Sequence, residues 1–197
     1  MLPWGEESVF EHCLNTLLRS KVSEIVVVLN KQDEAMIERF QSRFNSTTRK
    51  VKVTFNPDPK RGISSSIRKG LQVIDPGSEG ILISLGDQPL VRIRTINLLL
   101  RSFDQGEGEI VVPSFRGQRG HPVIFHRKYE KELQKLRGDT GGKPILLKYS
   151  KRIKTVPVRS EGVVEDIDTR EAYERALRTR RGRHEKESSG DIRKGNG

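Results

Sequence analysis

Residues 81–89 read Ile-Leu-Ile-Ser-Leu-Gly-Asp-Gln-Pro, and this stretch decides the predicted fold. A continuous apolar run bounded by glycine and proline is typical of a strand that is buried on both faces, as in a parallel sheet. Asp87 then follows the carboxyl end of that strand, where open α/β sheets bind their ligands. The pattern leaves two interpretations of Asp87 open: a residue of a turn or helix cap, and a metal ligand.

Strand and helix patterns alternate on both sides of this stretch. Runs of β-branched and aliphatic residues predict strands at 25–29, 51–55, 109–113 and 153–158. Helical periodicity predicts helices at 31–44, 91–103, 128–136 and 170–177. Ser8 with Glu11 three residues later predicts a capping box at the start of the first helix. The alternation predicts an α/β fold with a mostly parallel central sheet flanked by helices.

Composition places the chain among polar single-domain proteins. At 197 residues it is long enough to bury a core, with 33% hydrophobic and 32% charged residues. It has no apolar run of transmembrane length and no signal-peptide pattern, so we expect a cytoplasmic protein without a membrane partner. The lone Cys13 excludes an internal disulfide and a cysteine metal cage, and predicts a small core residue.

The chain carries a net charge of +11, of which residues 178–197 supply seven Lys/Arg and three Asp/Glu. This composition predicts a domain over 1–178 and a disordered charged tail over 179–197. The charge is compatible with nucleic acid and with anionic small molecules such as nucleotides. Aromatic residues are few and no nucleic-acid motif is visible, so we rank small anionic ligands above nucleic acid.

Two loops have the composition of ligand-binding segments. Gly62 and a run of three serines precede a helical pattern, where free N–H groups can meet a phosphate or a base edge. The alternative for these serines is simple helix capping. Arg119, Gly120 and His121 precede a strand, and the arginine and glycine favour an anion-facing loop. The alternative for His121 is a structural role at the strand start.

A late acidic pair, Asp166 and Asp168, is separated by a single residue. In an extended segment both side chains project to the same side, where their oxygens can share a hard cation. The alternative is that Asp166 is exposed and Asp168 belongs, with Thr169, to the cap of the next helix.

Six segments together resemble a known family. They read LPWGEESVFEHCL (2–14), NPDPKRGISSSIRKGL (56–71), ISLGDQPLV (83–91), VPSFRGQRGHPVIF (112–125), LRGDTGGK (136–143) and VVEDIDTREAY (163–173). In this order they resemble the molybdenum cofactor cytidylyltransferases, which belong to the MobA-like nucleotidyltransferases. That resemblance implies a Rossmann-like, glycosyltransferase-A-type fold over about residues 1–177. The segments GDQP, RGHPVIF and DIDT favour the cytidylyl branch over the guanylyl branch.

The family's activity is transfer of CMP from CTP to the molybdopterin-type molybdenum cofactor. The products are the cytosine dinucleotide cofactor and pyrophosphate. The resemblance implies magnesium, with manganese as an alternative, and a molybdenum hydroxylase apo-enzyme as a candidate partner. Two alternatives stay open: guanylyl or other nucleotidyl transfer to a phosphorylated acceptor, and a non-catalytic chaperone that delivers cofactor to molybdenum hydroxylases.

The resemblance also assigns roles to individual residues. It implies that the catalytic and metal-binding residues are Asp87, Asp166 and Asp168. It implies that the nucleotide is bound by Asn56, Gly62, Ser64, Ser65 and Gly86. It implies that the acceptor is bound by Arg119, Gly120, His121, Asp139 and Gly141.

One departure from the family pattern concerns the start of the chain. The family has a strand and a glycine-rich, arginine-containing nucleotide loop just upstream of LPWGEES, and this chain as printed begins after them. We therefore expect the first strand to be missing from the sheet, through a late start assignment or a true truncation. We also expect the chain as printed to bind CTP weakly and to be poorly active.

Overall fold

The computed structural model of the chain describes residues 2–30 and 51–191. The helix predicted at 31–44 lies outside the described residues. The strands are β1 (Pro3–Trp4), β2 (Glu7–Ser8), β3 (Ile25–Asn30), β4 (Val51–Asn56), β5 (Gly80–Ile83), β6 (Ile110–Phe115), β7 (Gln118–Arg119), β8 (Val123–His126) and β9 (Ile153–Pro157). The helices, labelled α1 to α6 in chain order, are Val9–Leu18, Ile63–Leu71, Ile93–Asp104, Glu130–Leu133, Lys143–Lys148 and Arg170–Asp191.

The strands confirm an α/β fold with a sheet flanked by helices, but the described sheets are mixed in direction. Strand β3 pairs in parallel with β4, from Ile25 opposite Val51 to Asn30 opposite Asn56. A five-stranded sheet has the order β5-β8-β6-β7 with antiparallel pairs, and β9 adds in parallel to β6. Strands β6 and β7 form a hairpin because Arg116 and Gly117, both at positive φ, turn the chain back after β6.

Strand β5 is shorter and less buried than the sequence predicted. It ends at Ile83 rather than Leu85, and only Ile81 of its four residues is buried. It lies at the end of the five-stranded sheet and pairs with β8 alone among the described strands. A strand with one neighbour leaves its second edge uncovered, which explains why burial on both faces is incomplete.

The first helix begins as its sequence predicts. Ser8 caps α1, the Glu11 carboxylate accepts from the Ser8 backbone N–H at 2.7 Å, and the capping box is complete. Helix α1 packs Leu14 against β3, while Cys13, buried and free as predicted, joins Trp4 and Ala176 of α6 in a separate cluster.

The last helix extends further than predicted. Helix α6 runs from Arg170 to Asp191, so residues 179–191 of the predicted disordered tail are helical in the structure. Thr169 caps it, accepting from the Ala172 N–H at 3.1 Å, and Arg170 pairs with Glu174 one turn on. The segment is rich in arginine, glutamate and lysine, which favour helix. Residues 192–197 lie outside the described part.

No helix within residues 2–30 and 51–191 combines the length and the apolar character that crossing a membrane requires.

Candidate active site

Asp87 lies in a turn four residues beyond the end of β5. Its backbone carbonyl accepts from the Ile167 N–H at 3.1 Å, which ties this turn to the late acidic segment. The side chain is half-buried, and its Oδ1 atom is buried without a hydrogen-bond partner. A buried carboxylate oxygen without a partner is costly, so this atom is a candidate ligand for a cation. A turn residue and a metal ligand are both compatible with the position of Asp87, because the residue lies in a turn and its Oδ1 atom has no hydrogen-bond partner.

The late acidic pair faces the same turn. Asp166 and Asp168 are exposed, whereas Ile167 between them is buried, as the predicted alternation requires. The Gln88 amide Nε2 donates to Asp166 Oδ1. Gln88 is only 4% exposed, so it holds the Asp166 carboxylate from a fixed position.

The three carboxylates repel one another where they meet. Burial raises the pKa of Asp87 above its usual value, and the negative charges of Asp166 and then Asp168 raise it further. Such repulsion between acidic side chains is relieved by a bound cation. Within the described residues, however, no group of three or more His, Cys, Asp or Glu side chains is close enough to hold a metal ion unaided.

His121 lies beside the acidic side chains. Its ring is hydrogen-bonded to the backbone carbonyl of Ile83 at the end of β5, and its Nδ1 atom is buried without a partner. Burial lowers the pKa of His121, and the negative charge of Asp166 partly opposes this shift. Because the pKa of His121 is lowered from its ordinary value, the neutral imidazole is favoured at neutral pH.

Because Gly120 has no side chain, the segment that contains His121 can pack directly against the backbone of Val163, just before the acidic residues 166 and 168. A Cβ atom at Gly120 would lie 1.9 Å from the carbonyl oxygen of Val163, and the His121 N–H donates to that same oxygen at 2.7 Å. Arg119, by contrast, is exposed on β7. The loop therefore contributes Gly120 and His121 to the acidic site and leaves Arg119 on the surface.

The start of α2 forms the second part of the site. Gly62 has a φ of 77°, and a Cβ there would lie 2.6 Å from the backbone of Gly138. The Ser64 N–H donates to the Gly138 carbonyl at 3.2 Å, and the Ile63 N–H donates to Asp139 Oδ1 at 3.0 Å. Asp139 therefore stabilises the amino end of α2 from a segment 76 residues away, where its charge complements the helix dipole.

The two serines at this helix start differ in their bonding. Ser65 accepts from the buried Asn56 Nδ2 at 2.7 Å and donates to the Gly62 carbonyl at 2.8 Å. Ser64 is fully buried, and its hydroxyl has no partner. Ser65 is thus bonded to Asn56 within the fold, which fits the capping interpretation, and Ser64 is the serine whose buried hydroxyl has no partner.

The remaining predicted residues lie at the borders of these two parts. Gly141, at a φ of 54°, has Ile63 of α2 as its neighbour, and Gly86 lies against the Phe10 ring. Lys143 follows the same turn as Gly141, and its positive charge contributes to lowering the pKa of His121. The predicted residues therefore form two groups, one around Asp87 and Asp166 and one at the start of α2. The charge of Lys143 acts on His121 in the first group.

Gln88 is the residue that the sequence analysis missed. In the sequence Gln88 stands only within the GDQP segment, and a glutamine after an aspartate carries no signal of its own. Its side-chain Oε1 is buried without a partner while its amide holds Asp166. Only the fold, which brings position 166 to position 88, reveals this role.

Comparison with known proteins identifies the family. Residues 1–153 match the MobA-like NTP transferase domain. The purine catabolism protein PucB of Bacillus subtilis is 25% identical over 181 residues, covering 90% of this chain and 86% of PucB. The nicotine blue oxidoreductase of Paenarthrobacter nicotinovorans is likewise 25% identical, over 183 residues, with the same coverage.

Solved structures show the same fold. A homologue of Rv0371c from Mycobacterium sp. strain JC1 superimposes with a TM-score of 0.74 at 26% identity, covering 91% of this chain and 86% of that one. Rv0371c of Mycobacterium tuberculosis, solved in complex with manganese, gives a TM-score of 0.71 at 24% identity, with 90% of each chain covered. The family match extends over most of the chain. This chain belongs to the MobA-like NTP transferase domain family and is a nucleotidyltransferase.

Proposed function

We propose that this protein transfers CMP from CTP to the terminal phosphate of a molybdopterin-type molybdenum cofactor. The observation that carries the proposal is the buried, unpartnered Asp87 Oδ1, which faces a second acidic segment at the end of β5. The choice of CTP and of the pterin acceptor rests on the resemblance of the GDQP, RGHPVIF and DIDT segments to cytidylyltransferases.

The acidic residues fit a divalent cation. Asp87 would hold it together with Asp166 or Asp168, since hard cations prefer carboxylate oxygens and take further ligands from phosphate and water. Magnesium, or manganese in its place, supplies charge neutralisation at the phosphates of the nucleotide. The remaining work belongs to side chains of this protein.

Gln88 would keep the Asp166 carboxylate oriented through its amide hydrogen bond. The neutral His121 would present a donor or an acceptor to the incoming phosphate side without adding a second positive charge. Arg119, exposed on β7, is available to an anionic acceptor at the surface.

The start of α2 would receive the nucleotide. Ser64 has a buried hydroxyl without a partner, and Gly62, which carries no side chain, lets the Gly138 backbone pack against the start of this helix. The hydroxyl can donate to a base or ribose oxygen, which is the type of contact that selects one nucleotide over another.

The test is a product assay on the protein with any residues its gene encodes before Met1. Radiolabelled CTP and GTP are supplied side by side with magnesium or manganese and molybdopterin-bound molybdenum. We expect a cytosine dinucleotide product and stoichiometric pyrophosphate from CTP. Omitting the molybdenum cofactor is the control for nucleotide hydrolysis.

Other outcomes would refute the proposal in distinct ways. Exclusive use of GTP would establish guanylyl transfer. Turnover only with another phosphorylated acceptor would reassign the substrate. Tight binding of the molybdenum cofactor without turnover of any nucleotide would establish the non-catalytic delivery role.

A further inference from the structure

A polar pocket lies beside the outward face of α2, and we refer to it as the α2 outer pocket. Its volume is about 340 Å³, at the small end of the range for pockets that bind small molecules. Among the described residues only Pro57 gives it an apolar side chain, so a hydrocarbon ligand does not suit it. The charged and amide side chains of its walls are Asp58, Arg61, Arg68, Lys69, Gln72 and Gln134.

The spacing of residues along α2 separates this pocket from the proposed nucleotide site. Ser65, Arg68 and Lys69 line the pocket, and their spacing of three and four residues places them on one face of the helix. Leu71 lies on another face and packs into the main core. Ser64, whose hydroxyl is assigned to the nucleotide above, does not line the pocket. The pocket is therefore a separate space on the outward side of the same helix.

The floor of the pocket consists of buried polar groups that bond to one another. Asn56 is 3% exposed, and its Nδ2 atom donates to the Ser65 hydroxyl at 2.7 Å and to the Ser66 hydroxyl at 3.0 Å. The Asn56 Oδ1 atom accepts from the Asp58 N–H at 3.1 Å. Because these groups have partners within the fold, the floor gives the pocket a fixed shape and leaves the binding of a ligand to the walls.

The walls carry an excess of positive charge. Arg61, Arg68 and Lys69 supply three cations, whereas Asp58 supplies the one carboxylate of the described lining. Arg61 Nε pairs with Asp58 Oδ2 at 2.9 Å, so these two charges compensate each other. Within residues 2–30 and 51–191, neither Arg68 nor Lys69 forms an ion pair with a carboxylate. Two positive charges therefore remain, which match the charge of a phosphate group near neutral pH.

Both of these cations are held in place by uncharged acceptors. Arg68 Nη1 donates to the carbonyl of Leu136, 68 residues further along the chain, at 2.5 Å. Lys69 Nζ donates to Gln72 Oε1 at 3.2 Å. A guanidinium has five N–H donors and an ammonium has three, so each keeps donors for an anion. Since both side chains are half-buried and already oriented, a ligand loses less binding energy in ordering them.

We propose that the α2 outer pocket binds a small phosphorylated molecule, with its phosphate group on Arg68 and Lys69. Charged donors that lie next to each other form short, strong hydrogen bonds with phosphate oxygens. The side-chain amides of Gln72 and Gln134 can donate to and accept from hydroxyl groups on the organic part of the ligand. The ligand class is therefore a phosphate ester with a hydroxylated organic part, such as a sugar phosphate.

The test is titration calorimetry on the whole chain, in buffer stripped of divalent cations so that no metal at the acidic residues attracts phosphate. The probes are ribose 5-phosphate, ribose and inorganic phosphate. We expect saturable one-to-one binding of ribose 5-phosphate and no detectable binding of ribose. Inorganic phosphate should bind at least about threefold more weakly than the ester, because it makes no hydroxyl contacts with the amides. Higher ionic strength should weaken binding of both phosphate probes.

A matched pair of charge changes locates the binding. Lys69→Gln removes a cation from the pocket and should weaken binding of ribose 5-phosphate at least about tenfold, because a charge-assisted hydrogen bond is lost. Lys131→Gln removes the same charge from an exposed position of α4 outside the lining and should leave binding unchanged. Gln72→Glu keeps every cation but places a carboxylate beside Lys69, so it should also weaken binding. Thermal unfolding of each variant checks that the fold is retained.

Four results would overturn the proposal. One is the absence of saturable binding of ribose 5-phosphate to the unsubstituted chain. Another is equal weakening by Lys69→Gln and Lys131→Gln, which would mean general attraction to a basic protein. The third is inorganic phosphate binding as tightly as the ester, which would make the pocket a site for the ion alone. The last is one-for-one displacement of ribose 5-phosphate by CTP without metal, with Lys69→Gln weakening both equally, which would make the pocket part of the nucleotide site.

Discussion

Replacing Asp87 with asparagine tests the acidic site directly, because the change keeps the shape of the side chain and removes its charge. The folded-state pKa of Asp87 is raised, first by burial and then by Asp166 and Asp168. The folded protein therefore binds a proton there more tightly than the unfolded chain, and above the unfolded pKa the carboxylate opposes folding. Without metal, Asp87→Asn should be as stable as the parent or slightly more stable. We expect less than about 1 kcal/mol, since the group is partly exposed and water screens the repulsion.

The turnover rate of Asp87→Asn should fall, although its stability without metal should not. If Asp87 holds the cation, turnover with CTP should fall by at least about a hundredfold, because metal charge stabilisation contributes several kcal/mol to such reactions. The assay measures kcat and the magnesium requirement, together with the rise in Tm on adding magnesium and CTP. Asp104→Asn removes the same charge from an exposed position at the end of α3 and serves as the control.

Near-normal turnover of Asp87→Asn at saturating magnesium, with an unchanged Tm response to magnesium and CTP, would mean that Asp87 only shapes its turn. A large loss of stability in the variant without metal would also contradict the account, because the structure gives the Asp87 Oδ1 atom no partner to lose.

Three further predictions concern the surroundings of this site. Ser64→Ala should weaken nucleotide binding about three- to tenfold with little loss of stability, whereas Ser65→Ala should lower unfolding free energy by about 1–3 kcal/mol because it removes one of the two serine hydroxyls that accept from the buried Asn56 amide. Calorimetry and urea unfolding separate the two, and the reverse pattern would exchange their roles. Gly120→Ala should destabilise the fold by about 3 kcal/mol, the upper part of the range for overpacking, since its Cβ would overlap the Val163 carbonyl. An unchanged Tm would contradict the close approach. His121 has a lowered pKa in the folded state, so its contribution to stability should be lost as pH falls below its unfolded value of about 6.5; urea unfolding of His121→Gln across that range should show a shallower pH dependence.

Local sequence patterns were enough to predict most helices and strands. The capping box at Ser8 and Glu11 and the aliphatic run of β3 depend on neighbours in the chain, and the structure confirms both. The pattern around Asp87 likewise predicted a carboxylate beyond the end of a strand. These features are local because hydrogen bonds and apolar periodicity within a few residues determine them.

The length of α6 differs from the prediction made from composition. The charged composition after Thr179 predicts disorder, yet arginine, lysine and glutamate also favour helix, and α6 continues to Asp191. Charge content alone does not distinguish a solvated helix from a disordered tail.

The sequence by itself determined the α/β class, the family resemblance and the candidate carboxylates. Tertiary structure alone decided that β5 pairs antiparallel with β8, its one partner among the described strands. It also decided that Gln88 holds Asp166 and that Asp139 caps a helix 76 residues away. The physical reason is the range of the interactions: turns, caps and periodicity act between neighbours in the chain, whereas strand partners and buried polar contacts join segments that only the packed core brings together.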